Sequence, residues 1–392
     1  MSWEKVKLKE LYEVHNGLSK GRKFFGTGYP FLSFSTVFNN YFIPDEITDF
    51  VQSTEKEQEN YSIKRGDVFV TRTSETSNEL GMSCVALKDY PKATYNGFTK
   101  RMRPITGKLL PEYVGYYMRL PSFRAGFQAF STMTTRASLR NEDLLSLQIA
   151  VPPIDVQEKI AGILGAYDDL IGNNKKQIKL LEEMAQRLYK EWFIDLHFPG
   201  YENVEIVDGV PKGWRKEKLI DLCDIQYGYA FDGTLFNDKR EGTPIIRIRD
   251  IPLGYSTDYT TEQADERYVI RNGEIVVGMD GEFHINSWGG EDSYLVQRVC
   301  CFRPHDEKIR GWLLWALYEP IKYFEKTVVG ATVSHLGKKH IDTIELLQAP
   351  RKLYVPFDRY FKQRQILLNQ NRKLLEVRDR LLPKIMNGEI EV

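Results

Sequence analysis

The side chains best placed to do chemistry lie in short polar loops, and that chemistry is hydrogen bonding and charge pairing rather than covalent catalysis. Thr71-Arg72-Thr73-Ser74-Glu75 packs five polar side chains into one turn after a strand-like run. Thr134-Thr135-Arg136-Ala137-Ser138-Leu139-Arg140 forms a second such loop, and Asn96, Thr99, Lys100 and Arg101 form a third cluster. Lys20 and Arg22 add cations upstream. The later half holds corresponding places at Met279-Asp280-Gly281-Glu282-Phe283-His284, Gln297-Arg298 and Gly330-Ala331-Thr332-Val333-Ser334-His335. Arg247, Arg249 and Lys338 flank them. Base reading requires donors and acceptors of fixed geometry, with cations nearby for the backbone. An isolated loop of Thr, Ser and Arg is more often an ordinary solvated turn. The argument for more is that these loops recur at matching positions in two halves and differ there in residue type.

Other chemistries lack their residues. No G-x-x-x-x-G-K-[ST] phosphate loop occurs, and Gly26-Thr27-Gly28 lacks the third glycine of a dinucleotide turn. His335 and His340 have no metal-ligand spacing and read as solvent- or DNA-facing, so no metal site is expected. Pro44-Asp45 is followed by no [DE]-x-K over the next forty residues, and Val151-Pro152-Pro153 lacks the polar and aromatic ends of an adenine-methylation motif. ATP hydrolysis, methylation and cleavage are therefore not expected of this chain, and no cofactor is expected in it.

An internal repeat organises the 392 residues. Trp3-Glu4-Lys5-Val6-Lys7-Leu8 reappears as Trp214-Arg215-Lys216-Glu217-Lys218-Leu219, and Gly17 falls opposite Gly228. Arg65-Gly66-Asp67-Val68 matches Asn272-Gly273-Glu274-Ile275, and Arg103-Pro104 matches Arg303-Pro304. Lys179-Leu180-Leu181-Glu182 returns as Lys373-Leu374-Leu375-Glu376. The order is arm (1–152), helix (153–200), arm (201–352), helix (353–392). Each arm mixes short β-branched and aromatic runs with one helical stretch, at 111–120 and 309–318. The fold class is α+β: a tandem duplication of a mixed α/β arm, each followed by a long helix.

In the first helix Ile160, Leu164, Tyr167, Ile171, Asn174, Ile178, Leu181, Ala185, Leu188 and Trp192 recur at alternating spacings of four and three. That is a heptad seam, predicting a helix of ~39 residues and ~58 Å. The second copy supplies Leu374, Leu381 and Ile385, and Pro383 should kink or end it. The simplest arrangement packs the two as an antiparallel coiled coil; the plainer alternative is a lone amphipathic helix lying on an arm. Asn174 either fixes register or sits at a frayed margin.

Lys+Arg and Asp+Glu both number 54, a poor start for a nucleic-acid binder. The balance hides an asymmetry. Residues 1–150 carry 20 basic and 16 acidic side chains, whereas 201–350 carry 18 and 25. The four cysteines form no C-x-x-C pair, and no apolar run is long enough to span a membrane. A reduced, cytoplasmic protein is expected.

Val151-Pro152-Pro153-Ile154-Asp155-Val156-Gln157-Glu158-Lys159-Ile160-Ala161, Leu188-Tyr189-Lys190-Glu191-Trp192-Phe193-Ile194-Asp195 and the Trp-x4-Leu-x2-Leu start of each arm resemble Type I restriction–modification specificity subunits. The resemblance covers essentially the whole chain. It departs at the second junction, where Ala349-Pro350 and Val355-Pro356 stand with Gln363 and Gln365 only loosely in phase. It implies that each arm is a target-recognition domain reading half of a bipartite DNA site, and that the helices set the gap. It also implies two methyltransferase subunits and a restriction/translocase subunit as partners, carrying S-adenosylmethionine, ATP and Mg. The alternative is a two-armed scaffold that binds proteins and no DNA.

Overall fold

The computed structural model describes residues 3–74, 80–129, 137–328 and 334–392. They form two compact units, one built from the chain up to Asp168 with Val377–Val392, the other from Asp169–Glu376.

In the first unit Glu4–Lys7 pairs antiparallel with Gln148–Val151, closing the two ends of the arm on each other. A four-stranded antiparallel sheet runs in the order Tyr12–Asn16, Thr99–Pro104, Val68–Thr71, Ser83–Val85. A second, three-stranded sheet sets Phe25–Leu32 between Phe50–Val51 and Thr94–Tyr95, the last in parallel. All four residues of Val68–Thr71 are buried, which is why that strand reads as a continuous apolar run rather than an alternation. Helices Pro111–Tyr117 and Pro121–Ala129 cover the sheet, with Tyr113, Tyr116, Phe123 and Phe127 in the same core as Leu8, Val68 and Val70.

The second unit repeats this plan. Arg215–Lys218 pairs with Glu345–Gln348, and the four-stranded order is Cys223–Tyr227, Val299–Pro304, Ile275–Gly278, Ile285–Ser287. Thr243–Ile246 runs parallel to Ser293–Leu295, as Phe25–Leu32 does to Thr94–Tyr95. Backbone bonds recur in kind: the Leu8 N–H donates to the Leu147 carbonyl (2.8 Å) as Leu219 does to Ile344 (2.9 Å). The matched glycines are matched for a steric reason. A Cβ on Gly17 would lie 2.1 Å from the Asn96 carbonyl oxygen, and one on Gly228 would lie 2.2 Å from that of Val296.

The repeated Gly-acid and Arg-Pro landmarks meet in space. Arg103 donates through Nε and Nη2 to Asp67 at 2.7 and 2.6 Å, and Arg303 donates through Nε to Glu274 at 2.6 Å. The same carboxylates close the preceding turns, accepting the backbone N–H of Lys64 (2.8 Å) and Arg271 (2.6 Å). The hydrogen bond to Asp67 holds the Arg103 guanidinium above its ordinary pKa.

The first long helix is Ile154–Tyr189, followed by one π turn, Lys190–Ile194. Ile160, Leu164, Ile171, Asn174, Ile178, Leu181 and Ala185 are buried on it, with Tyr167, Leu188 and Trp192 half-buried. The second, Val355–Met386, runs through Pro383 rather than ending there. A proline three residues from the end removes only one hydrogen bond of the last turn, so the helix tolerates it. Leu374 and Leu381 are half-buried; the buried positions include Phe357, Phe361, Leu367, Leu382, Ile385 and three polar residues spaced by seven, Arg364, Asn371 and Arg378. In the first unit Ile160 and Leu164 share a cluster with Leu382 and Ile385, and Arg378 pairs with Asp168. In the second, Asn174 Nδ2 reaches Gln370 Oε1 (3.5 Å), Ile178 and Leu181 meet Leu367, and Arg364 pairs with Glu182 (2.7 Å). Numbers rise on one helix as they fall on the other, so the pairing in each unit is antiparallel. Among the described residues no helix is long and apolar enough to cross a membrane.

The Asp67–Arg103 clamp yields a test. Asp67→Ala leaves a largely buried guanidinium without its counter-charge and should destabilise the protein by about 3 kcal/mol. Asp67→Ala with Arg103→Met should cost less than Asp67→Ala alone. Chemical denaturation of the three variants decides, and a single-variant loss near zero would show the clamp to be structurally idle.

Candidate nucleic-acid interface

The described parts of the polar loops read from the sequence meet, in each arm, at a backbone junction. In the first arm the N–H of Arg72, just past the central strand, donates to the Phe98 carbonyl at the tip of a neighbouring turn (3.0 Å). The N–H of Leu139 donates to the Arg72 carbonyl (2.9 Å), and Thr73–Ser74 pairs antiparallel with Ala137–Ser138, Ser138 facing Thr73. In the second arm Met279 donates to Arg298 (2.8 Å), Leu336 donates to Met279 (2.7 Å), and Asp280 is bridged to His335. The two junctions share this pattern of backbone bonds. Thr73, Ser138 and Phe98 of one arm thus correspond to Asp280, His335 and Arg298 of the other.

Phe98 was not singled out in the sequence, yet it is 56% exposed at this tip. The displacement of 200 residues that pairs Arg103 with Arg303 would have placed it opposite Arg298.

The remaining first-arm positions divide by what holds them. Arg22 and Arg140 are exposed, Arg140 with Nε 3.0 Å from Asp143 Oδ2. Lys20 is tied down, donating to Glu57 Oε2 (2.7 Å) and the Gln52 carbonyl (2.6 Å). Asn96 shapes the turn, its Oδ1 accepting the Phe98 N–H (2.7 Å). Arg72 is half-buried, with Nη1 3.5 Å from Asn16 Oδ1. Lys100 and Arg101 are corrections. Their strand lies between two others with both faces covered, so Lys100 is 5% and Arg101 3% exposed. Lys100 donates to Asn141, while Arg101 donates to the Ser62 carbonyl (2.8 Å) over the Tyr95 ring. Burial, and then the charge of Arg72, lower the Lys100 pKa. Both are internal braces. The side chains of Thr73, Ser74 and Ser138, and all of Thr135, Arg136 and Thr332, lie outside the described residues.

In the second arm Arg247 and Arg249 both pair with Asp258, and Arg247 lies over the Phe236 ring. Lys338 pairs with Asp342 (2.7 Å) and His284 with Glu282 (3.1 Å). Ser334 contributes its carbonyl, accepting the Gly281 N–H (3.1 Å). Asp280 Oδ1 accepts from His335 Nδ1 (2.5 Å) and from Arg298 Nη1 (3.5 Å), and its Oδ2 lies 3.2 Å from Arg298 Nη1, so the carboxylate is engaged within the protein. Among the described residues no group of three or more His, Cys, Asp or Glu side chains is placed to hold a metal ion.

The profile of the Type I restriction modification DNA specificity domain matches residues 1–183 and 211–348, once over each copy of the repeat. The chain belongs to that family. It is 24% identical over 415 residues to the Type I restriction enzyme MjaIX specificity subunit of Methanocaldococcus jannaschii, covering 100% of this chain and 94% of that protein. Identity is also 24% to the HindI specificity subunit of Haemophilus influenzae, covering 94% and 96%. The fold is that of the crystal structure of a Type I restriction–modification S subunit from M. genitalium, with a TM-score of 0.55, 13% identity, and 98% and 96% coverage. In this specificity-domain protein, the two matched segments each contain one complete junction.

Exposed and buried cations should separate in a salt titration. Arg140→Ala should reduce the log–log salt slope of DNA binding by up to about one, as for loss of one phosphate contact. Lys100→Met should leave the slope unchanged. Fluorescence anisotropy with a nonspecific duplex measures both, and the reverse ranking would return Lys100 to the interface.

Proposed function

We propose that this chain is the DNA-reading subunit of a Type I restriction–modification complex, each arm reading one half of an asymmetric, bipartite duplex site through its junction. The observation that carries the reading is the repeated hydrogen-bond frame bearing different side chains. A shared frame presents both arms to DNA in the same manner, while Thr73, Phe98 and Ser138 against Asp280, Arg298 and His335 ask for different bases. Two unlike readers make a non-palindromic site.

Methylation and cleavage belong, on this reading, to partners: two copies of a modification subunit docking on the helical segments, and a restriction/translocase subunit. Those chains carry S-adenosylmethionine, ATP and Mg. The charge distribution supports shared work. The second arm has seven more acidic than basic side chains over residues 201–350, so phosphate contacts fall to the first arm and to the partners.

Co-expression with its modification subunit in a methylation-free host, followed by mapping of modified adenines, tests the proposal. The expected result is one split motif with two unlike halves and a constant gap. Exchanging residues 201–352 for those of another family member should replace one half and leave the other. A stable complex without methylation would favour the scaffold instead.

A further inference from the structure

In the second arm one carboxylate holds two of the side chains that the junction presents. Asp280 Oδ1 lies 2.5 Å from His335 Nδ1, and its Oδ2 lies 3.2 Å from Arg298 Nη1. The acid is the most sheltered of the three: its side chain is 26% exposed, against 46% for His335 and 52% for Arg298. The frame fixes all three from behind. Met279 takes the Arg298 carbonyl, Leu336 takes the Met279 carbonyl, and Gly281 takes the carbonyl of Ser334. Arg298 itself sits at φ +75°, a left-handed conformation that a residue with a side chain keeps only where its surroundings hold it. Among the described residues, the other ring nitrogen of His335 and the other guanidinium nitrogens of Arg298 have no hydrogen-bond partner.

Resting on the reading above, we propose that Arg298 and His335 determine specificity in the second half-site and that Asp280 is their positioning residue. An ionised carboxylate only accepts, so the His335 Nδ1 must carry the proton it shares with Asp280. In the neutral ring this leaves Nε2 as an acceptor, suited to an exocyclic amino group, adenine N6 or cytosine N4. Arg298 keeps a free guanidinium edge, which suits guanine O6 and N7. Asp280, engaged by both side chains, therefore does not read a base itself. It orients the two groups that read, and it supplies a negative charge that holds a cation at a site where the arm is otherwise acidic.

The test maps adenine methylation by the complex containing the parent chain, Arg298→Ala, His335→Ala, Asp280→Ala or Asp280→Asn. Arg298→Ala should relax a guanine position in the second half, with discrimination falling about 5- to 150-fold, as for loss of one good base contact. His335→Ala should relax a different position, one with an amino group in the major groove. Asp280→Ala should relax both. Asp280→Asn keeps an acceptor for His335 but no charge for Arg298, so it should restore the amino-group position and leave the guanine position relaxed. The first half should be unchanged throughout. A uniform fall in methylation with no position relaxed would make Asp280 merely structural and overturn the proposal, while the split motif stands. Relaxation confined to the first half would overturn it equally. A parent chain that yields no split motif would overturn the specificity reading itself, and this proposal with it.

Discussion

In each arm a sheltered carboxylate fixes the register of two strands, and the delivery of the reading loops depends on that register. Asp67 binds Arg103 immediately before the ladder Val68↔Met102, Phe69↔Arg101, Val70↔Lys100 and Thr71↔Thr99 begins. The next bond in the same register is Arg72 to Phe98, which brings the loop and the tip together. Glu274 and Arg303 do the same before Ile275↔Phe302 to Gly278↔Val299, and Met279 to Arg298 completes the series. A slip of one residue would turn every side chain of the strand to the opposite face. Clamping one end with an ion pair leaves the other end free to vary in side chain without losing its backbone geometry. That separation of scaffold from reader lets one fold, used twice, ask two different questions of DNA.

The acidic balance of the second arm takes on a different meaning beside these contacts. Glu274 holds Arg303, Asp258 holds Arg247 and Arg249, and Asp280 holds Arg298 and His335. These carboxylates orient cations, and an oriented guanidinium discriminates better than a mobile one because less rotamer freedom is lost on contact. The first arm reaches a different compromise, with a basic excess and an exposed phenylalanine at its tip. On the proposed reading, affinity and selectivity are weighted unequally between two arms of the same construction.

Much of the plan was legible because repetition and periodicity survive in one dimension. Gly17 and Gly228, Asp67 and Glu274, and Arg103 and Arg303 stood out as landmarks, and the first heptad seam could be followed from Ile160 to Trp192. Which landmarks touch was not legible, since Asp67 and Arg103 lie far apart along the chain and meet only through strand pairing. Lys100 and Arg101 looked like surface cations because residue type says nothing of a strand covered on both faces. The seam of the second helix was legible at Ile385 and incomplete elsewhere for a related reason. A search for apolar residues passes over Arg364, Asn371 and Arg378, and these occupy buried seam positions.

Those arginines explain why each arm and its helices form one folding unit rather than a domain resting on a rod. In the first unit Arg378 pairs with Asp168 of the first long helix and lies over the ring of Tyr41 in the arm, while Tyr116 donates to the same Asp168 (2.6 Å). Burial alone would lower the Arg378 pKa; Asp168 and Asp379 more than offset it, and the guanidinium is held above its ordinary value. In the second unit Arg364 pairs with Glu182 of the first helix and donates to Asn286 and Ser287 of the arm. The two arginines stand two heptads apart, on the same face of one helix, and each bonds the opposite helix and an arm together. The opposite helix supplies the counter-charge in each case and the arm supplies hydrogen bonds or an aromatic face, so each arginine fixes the register of both contacts at once.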